Sequence, residues 1–223
     1  MTGRERTGLK MTGQEMTGQE MTGRGVVEEL VRVGTPLMEG RMAVLRERLV
    51  TDADRDGLLD VAYRTVDSPV GLLLLAATSV GLVRVAFDRQ GHADALEGLA
   101  REISPRILRA PKRLDGVARQ LDEYFTGRRH RFDVALDLRL AHGFRRAVLE
   151  QLPDSAYGTP ATYAAVATAA GSPQAVRAVG SACARNPVPL VVPCHRVVRS
   201  DGTLGGYAGG PAAKRTLLGL EAA

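Results

Sequence analysis

The sequence predicts an α+β protein, in which a small antiparallel sheet with helices (residues 61–142) precedes a mostly helical part (residues 143–223). Three observations predict this arrangement. Apolar runs separated by turn-forming residues, as in antiparallel strands, lie at 61–66, 72–76 and 82–87. Segments with helical periodicity follow at 93–103 and 114–125, and 132–138 alternates like a further strand. Beyond residue 143, helical segments at 144–152, 162–170 and 174–184 alternate with glycine- and proline-containing breaks.

The first sixty residues differ from the rest in composition. Met-Thr-Gly-Gln-Glu begins at Met11 and again at Met16, and such a polar repeat lacks the apolar residues that a folded core needs. Residues 1 to 25 are therefore expected to be either a disordered tail or a mis-assigned start of the sequence. A weak amphipathic pattern over residues 26–49 predicts a helix broken at Gly34 and Pro36, and an acidic linker is expected over residues 52–60.

Composition limits the class of protein. A chain of 223 residues that is 44% hydrophobic can bury a sizeable core. Its two cysteines, Cys183 and Cys194, are too few for a disulfide framework or a thiolate zinc site, so a reducing cytoplasm is the expected compartment. No apolar run suggests a secretion signal or a membrane span. A net charge of +5, with 27 Arg against 3 Lys, permits contact with nucleic acid.

The concentrated chemistry of the chain lies at Pro193-Cys194-His195. A thiol beside a base can act as a nucleophile. Adjacent side chains do not face each other in a regular helix or strand, so the pair requires a tight turn or a bridging water. Pro193 favours such a turn, and the apolar residues on both sides predict a strand that enters a partly buried bend. The dipeptide taken alone fits a buried structural cysteine beside a surface histidine better than a reactive site.

The helical segments 162–170 and 174–184 are typical of a helix-turn-helix, with Gly171 in the turn and Thr159 or Thr162 as the cap of the first helix. The second helix is rich in small residues, which let it approach another surface closely. That surface is either a packed helix or DNA.

Several strings around Cys194 together resemble the O6-alkylguanine-DNA alkyltransferase family, the methylated-DNA–protein-cysteine methyltransferases. They are the PCHRVV string at 193–198, NPVP at 186–189, RAVG at 177–180, YGTPATY at 157–163, LGGYAGG at 204–210 and LLGLE at 217–221. The resemblance is strong over residues 143–221 and weaker over residues 61–137, where YRTVDSPVG at 63–71 is similar to the family's opening strand and turn. It does not extend to the first sixty residues.

The resemblance implies a DNA repair protein that moves the alkyl group of O6-alkylguanine, and of O4-alkylthymine, in double-stranded DNA irreversibly to Cys194. It implies a scaffold domain at 61–142 and a winged-helix-like DNA-binding and catalytic domain at 143–223. The damaged base is expected to rotate out of the duplex, since its O6 substituent is blocked inside the stack. The alkyl group is not readily removed from a thioether, so the protein is expected to act once. The resemblance also implies a monomer that needs no cofactor or metal and does not bind a membrane.

The resemblance also implies roles for individual residues. His195 would take the thiol proton through a water, Glu221 would orient the imidazole, Asn186 would position the turn, and Tyr163 would donate to guanine N3. Arg177 would fill the space of the rotated nucleotide, and Ala178 would approach the minor groove. The base pocket would be walled by Tyr207, Pro189, Val197, Gly205 and Gly206. Arginines that could contact phosphates are Arg145, Arg146, Arg185, Arg196 and Arg199.

Two other functions share some of these sequence features. A non-enzymatic protein that binds lesions would share the helix-turn-helix and the pocket but would lack the nucleophile, whereas Cys194 is present. A cysteine hydrolase would need an oxyanion hole and repeated turnover, and the adjacency of Cys194 and His195 without a distant histidine disfavours it.

Overall fold

The computed structural model describes residues 23–222, with side chains at residue 38 and from residue 40 onward. Of the segment 1–25, predicted to be disordered, residues 1–22 lie outside the described residues, whereas residues 23–25 are helical, so the prediction is wrong there. The chain divides into two units, residues 1–46 and residues 47–223, and the second contains every element after the first helix. No helix of the described part is long and apolar enough to cross a membrane.

The first helix, α1, runs without interruption from Gly23 to Arg55. The predicted break at Gly34 and Pro36 is therefore wrong, and the helix also includes four of the nine residues, 52–60, that were expected to form a linker. Within the second unit, the last turns of α1 bury Val50 and Ala53 against strand residues such as Ala62. This packing explains why helix continues where composition alone predicted an acidic linker.

The sheet has four strands in the order β3-β2-β1-β4. They are β1 (Val61–Val66), β2 (Leu73–Ala77), β3 (Leu82–Phe87) and β4 (Ile107–Arg109). The pairs β1–β2 and β2–β3 are antiparallel, as predicted, whereas β4 was not predicted and pairs parallel to β1. The alternating segment 132–138 forms no regular strand and makes only one bridge, between Leu136 and Leu82.

The helices confirm the α+β prediction: five of them have ends within about two residues of those expected, whereas the last, α7, was not predicted. They are α2 (His92–Glu102), α3 (Asp115–Phe125), α4 (Gly143–Gln151), α5 (Tyr163–Ala169), α6 (Val176–Ala184) and α7 (Gly210–Glu221). Two short parallel strands, β5 (Ala161–Thr162) and β6 (Val197–Val198), join the region before α5 to the segment after Cys194. Thr162 is the cap of α5, because its hydroxyl accepts a hydrogen bond from the backbone N–H of Ala165.

One hydrophobic cluster joins the sheet region to the C-terminal helices. It contains Leu73, Phe87 and Tyr124 from the first region together with Val148 and Val179 from the second. Since the two regions share this core, side chains of α3 reach the segment that carries Cys194.

Candidate active site

Cys194 begins a single turn of 3₁₀ helix, Cys194–Arg196, and is only 1% exposed. The approach to it is a loop and not the predicted strand. Leu190 has a φ of 76°, in the left-handed region, and a single bridge joins Pro189 and Val192. The loop therefore bends sharply just before the cysteine, where a turn was expected.

Asn186 holds both the loop and the sulfur. Its Nδ2 donates to Cys194 Sγ at 3.2 Å and to the carbonyl of Val192 at 2.9 Å. Its Oδ1 accepts from the backbone N–H of Val188 at 3.0 Å. A single buried amide thus fixes the position of the thiol relative to the loop that precedes it.

His195 and Glu221 form a buried pair, with His195 Nε2 2.8 Å from Glu221 Oε1. The carboxylate also accepts from Arg196 Nε at 2.8 Å, from Arg196 Nη2 at 3.0 Å and from the Gly158 backbone N–H at 3.2 Å. Tyr124 Oη donates to the same Oε1 at 2.7 Å. Every contact is a donor toward the carboxylate, so the site is built for an ionised Glu221.

The electrostatics of the pair favour a neutral imidazole. Burial lowers the pKa of His195 below its ordinary value, and the hydrogen bond with Glu221 only partly opposes this effect. Burial acts to raise the pKa of Glu221, but hydrogen bonds from His195 and Arg196 outweigh it and hold that pKa well below its usual range. Because a carboxylate only accepts, His195 carries its proton on Nε2, and Nδ1, which has no partner among the described residues, keeps a free lone pair.

The thiol of Cys194 is protonated at neutral pH. Burial raises its pKa to about 11, against smaller opposing effects of the Asn186 hydrogen bond and the charge of Lys214. Formation of a thiolate at neutral pH would therefore require a base, and His195 Nδ1, unpartnered in the described part of the chain, is the base next to Cys194 in sequence.

Lys214 is fully buried and joins three segments. From α7, its Nζ donates to the carbonyl of Val197 at 2.6 Å and to the carbonyl of Leu204. Burial lowers the pKa of this ammonium group. The lysine thus ties the strand that follows the active-site turn to the glycine-rich loop before α7.

The glycine-rich loop packs on Tyr163, which is the first residue of α5 and is half-buried. Gly205 has a φ of 63°, and a Cβ on it would lie 2.5 Å from Tyr163 Oη, so only glycine fits there. Tyr207 is buried edge-on to Phe87, with ring centroids 5.5 Å apart, and 6.2 Å from the ring of His195. Of the other expected pocket residues, Pro189 and Val197 are buried and Gly206 is exposed.

Arg177 and Ala178 lie in the first turn of α6 and are exposed, whereas Val179, Ala182 and Cys183 on the same helix are buried. The two residues expected to meet DNA thus face solvent, and α6 is held by its opposite face.

Among the arginines expected to contact phosphate, Arg196 is wrongly assigned, because its side chain is buried. It is 5% exposed and pairs with Glu221, so it is not available to a phosphate. Arg145 donates to the carbonyl of Leu140, and Arg146 pairs with Glu150. Arg185 and Arg199 are exposed.

The sequence did not mark Tyr124 and Lys214 as residues of the site, and it did not reveal the structural role of Arg196. All three residues are buried. Tyr124 lies with Leu121 on the apolar face of α3, so its spacing was that of a core residue. Lys214 is an isolated lysine within α7, with no pattern to mark it as buried.

Two family models match the chain. Residues 61–138 match the ribonuclease-like domain of 6-O-methylguanine DNA methyltransferase, and residues 143–223 match the DNA-binding domain of the same family. A methylated-DNA–protein-cysteine methyltransferase of Mycolicibacterium paratuberculosis is 40% identical over 161 residues, which cover 72% of this chain and 92% of the relative. The constitutive enzyme of that name from Bacillus subtilis is 34% identical, over 71% of this chain and 94% of its own.

Solved structures agree with these matches. The chain superimposes on Mycobacterium tuberculosis OGT in complex with DNA with a TM-score of 0.64 and 38% identity, over 72% of this chain and 92% of that one. The O6-methylguanine-DNA methyltransferase of Pyrococcus kodakaraensis gives a TM-score of 0.53 and 26% identity, over 73% of this chain and 99% of that one. The buried cysteine, the histidine–glutamate pair and these matches together place the chain in the family of O6-methylguanine DNA methyltransferases, which repair DNA by transferring an alkyl group to one of their own cysteines.

Proposed function

We propose that Cys194 is the residue that accepts the alkyl group, from O6-alkylguanine and from O4-alkylthymine in double-stranded DNA, in one irreversible displacement. The observation that carries the proposal is the pairing of His195 with Glu221 beside a buried thiol held by Asn186. Because Nε2 is used in this pair, Nδ1 of His195 is a free acceptor, and His195 directly follows the proposed nucleophile in the sequence.

In the proposed step, Cys194 Sγ attacks the saturated alkyl carbon while its proton passes through a water to His195 Nδ1. A C–S bond forms and the bond from carbon to the exocyclic oxygen breaks, with its electrons going to the base. Tyr163 Oη donates to guanine N3 and offsets the charge that develops there. Glu221 stabilises the imidazolium until its proton passes through water to the displaced base anion, which thereby becomes neutral guanine or thymine, and the thioether remains on the protein.

Access to the thiol requires that the base leave the helical stack. Cys194 is 1% exposed, so the alkyl carbon can reach it only from inside a pocket. In the proposal, Pro189, Val197, Gly205, Gly206 and Tyr207 wall that pocket, with Gly205 lying close against the Tyr163 hydroxyl.

The exposed first turn of α6 approaches the minor groove in this proposal. Arg177 enters the duplex in place of the rotated nucleotide, because a planar guanidinium can stack and donate hydrogen bonds to the orphaned partner base. Ala178 lets the helix come close to the groove. Exposure of both side chains on a helix buried by its opposite face supports this orientation.

The proposal assigns the scaffold role to residues 61–142 and DNA binding with catalysis to residues 143–223. A monomer suffices, since every proposed group belongs to one chain. Cys183 and Cys194 are both free thiols, which a reducing compartment such as the cytoplasm maintains.

Incubation with duplex DNA that carries O6-[³H-methyl]guanine tests the proposal. We expect the label to move to the protein, and proteolysis with mass spectrometry to locate it on the peptide that contains Cys194. Label released into solution as a small product would favour a hydrolase, and binding without any transfer would favour a lesion-binding protein.

A further inference from the structure

Tyr124 reaches the proposed proton-transfer pair from the region assigned to the scaffold. It lies in α3, is completely buried, and its Oη donates to Glu221 Oε1 at 2.7 Å. The same oxygen accepts from His195 Nε2, and Tyr124 Oη lies 3.4 Å from that nitrogen. Tyrosine, histidine and glutamate therefore meet at a single carboxylate oxygen.

Aromatic packing fixes the position of this phenol. The ring of Tyr124 lies 5.3 Å from Phe125, 5.2 Å from Phe132 and 6.3 Å from Tyr157, measured between ring centroids. Burial, and then the negative charge of Glu221, raise the pKa of Tyr124 far above its ordinary value. The hydroxyl is therefore a permanent donor toward Glu221.

We propose that Tyr124 is a positioning residue for alkyl transfer, which holds Glu221 so that Oε1 aligns His195 with Nδ1 toward the thiol. The proposal rests on the function proposed for Cys194 and extends it, because it makes the region at 61–142 a direct contributor to the proton path. Glu221 Oε1 accepts from Tyr124, His195 and Arg196 Nη2, whereas Oε2 accepts from Arg196 Nε and Gly158.

Removal of the phenol hydroxyl has a defined electrostatic consequence. A carboxylate that loses one donor becomes a stronger acceptor for the remaining ones, which favours protonation of His195. The other charged or titratable groups near the imidazole are Arg196 and Lys214, whose charges oppose protonation, together with Cys194 and Tyr207. None of these changes in Tyr124→Phe, so the variant isolates the hydroxyl.

Single-turnover transfer from free O6-benzylguanine, measured between about pH 5 and about pH 9, tests the proposal because this substrate needs no base extrusion. We expect Tyr124→Phe to lower the rate constant about tenfold near neutral pH and to move the acid limb of the profile upward by about one pH unit. Tyr157→Phe is the matched control. It loses a 3.4 Å hydrogen bond to the carbonyl of Leu220, but its hydroxyl makes no hydrogen bond to Glu221 and its ring stays beside Arg196, so it should keep the wild-type profile.

Two kinetic outcomes would overturn the proposal. One is a wild-type rate for Tyr124→Phe at every pH. The other is a lower rate with an unmoved acid limb, since a merely structural loss does not change the protonation of His195. Circular dichroism and thermal unfolding of both variants show whether each is folded.

Nuclear magnetic resonance of the wild-type protein tests the hydrogen bond of the Tyr124 hydroxyl and requires neither a variant nor an activity assay. We expect the Tyr124 hydroxyl proton to exchange slowly with water and to show a cross-peak to a ring proton of His195. A rapidly exchanging hydroxyl would overturn the proposal even if Tyr124→Phe failed to fold. Failure of the wild-type protein to take an alkyl group from any substrate would instead refute the function proposed for Cys194, and the resonance experiment separates the two failures.

Discussion

Arg196 and Glu221 form a buried two-point ion pair, with Nε 2.8 Å from Oε2 and Nη2 3.0 Å from Oε1. Arg196 Nη1 also donates to the carbonyl of Ser155 at 2.7 Å. The pair joins the residue two positions after the cysteine to the last residue of α7. The geometry of His195 therefore depends on the packing of the C-terminal helix.

We expect Glu221→Gln to lower the free energy of unfolding by about 3–5 kcal/mol at neutral pH, because it leaves the Arg196 charge buried without its partner. The folded-state pKa of Glu221 is depressed, so the ionised carboxylate stabilises the fold above its ordinary pKa of 4.5, and this contribution is lost as pH falls toward the folded-state pKa. The difference in the free energy of unfolding between the wild-type protein and Glu221→Gln should therefore become smaller at acid pH. Urea unfolding at neutral pH and at about pH 4 measures it.

Glu150→Gln is the control for that experiment. Glu150 pairs with Arg146 at 2.8 Å, but both side chains are about half exposed. Its removal should change the free energy of unfolding by no more than about 0.5 kcal/mol at either pH. Equal effects of the two substitutions would contradict a special contribution of the buried pair.

We expect the single-turnover rate constant on free O6-benzylguanine to be nearly level between about pH 6.5 and about pH 9. His195 has a pKa below its ordinary value of 6.5, so it is already a neutral base in this range. Cys194 has a pKa of about 11, so its thiolate is scarce and the proton must leave during the attack. A rate that rises about tenfold per pH unit would show instead that a preformed thiolate is the nucleophile.

We expect Cys194→Ser to abolish alkyl transfer while affinity for duplex DNA changes little, because a hydroxyl is a far weaker nucleophile at neutral pH. Cys183→Ser is the control. That thiol is also buried, and burial raises its pKa to about 12, yet it has no histidine neighbour. Label on Cys183, or transfer to the Cys194 variant, would refute the assignment of the nucleophile.

Local patterns were sufficient to predict most of the fold. The strands β1 and β3 begin and end at the predicted residues, since their apolar runs are bounded by clear turn signals. The strand β4 was missed because it has three residues and depends on parallel pairing with β1, a contact distant in sequence. The interruption expected at Pro36 rested on a local rule that the continuous helix α1 does not follow.

The residues of the candidate site divide into those that the sequence could mark and those that only the folded structure brings together. Cys194 was singled out by its own motif together with the strings around it, whereas Glu221, 26 residues from His195, was identified only through the family resemblance, because only the packing of α7 brings it to His195. Tyr124 is 97 residues from Glu221 and has the spacing of a core residue, so no local pattern could mark its hydroxyl. Arg196 looked like a surface cation, and tertiary packing decided otherwise.

We expect transfer to stop at one alkyl group per protein molecule when damaged DNA is in excess, since the thioether on Cys194 has no leaving group that water can displace. Intact mass spectrometry should show a single added methyl group after O6-methylguanine repair. A variant that lacks residues 1–25 should behave alike, because the repeat has no residue suited to catalysis. Many equivalents of transfer per protein would refute the single-use mechanism.

We expect Arg177→Ala and Tyr163→Phe to affect transfer differently. If Arg177 fills the stack after the nucleotide leaves, its loss should slow transfer from duplex DNA far more than from free O6-benzylguanine, whereas loss of the Tyr163 hydroxyl should slow both, because leaving-group stabilisation is needed either way. Single-turnover rates on the two substrates measure the contrast. An arginine that only contacts phosphate would weaken binding to damaged and undamaged duplex equally and reduce the salt dependence by about one counterion. Equal slowing of Arg177→Ala on the duplex and on the free base would refute its role in extrusion, since the free base has no stack for the exposed guanidinium to enter.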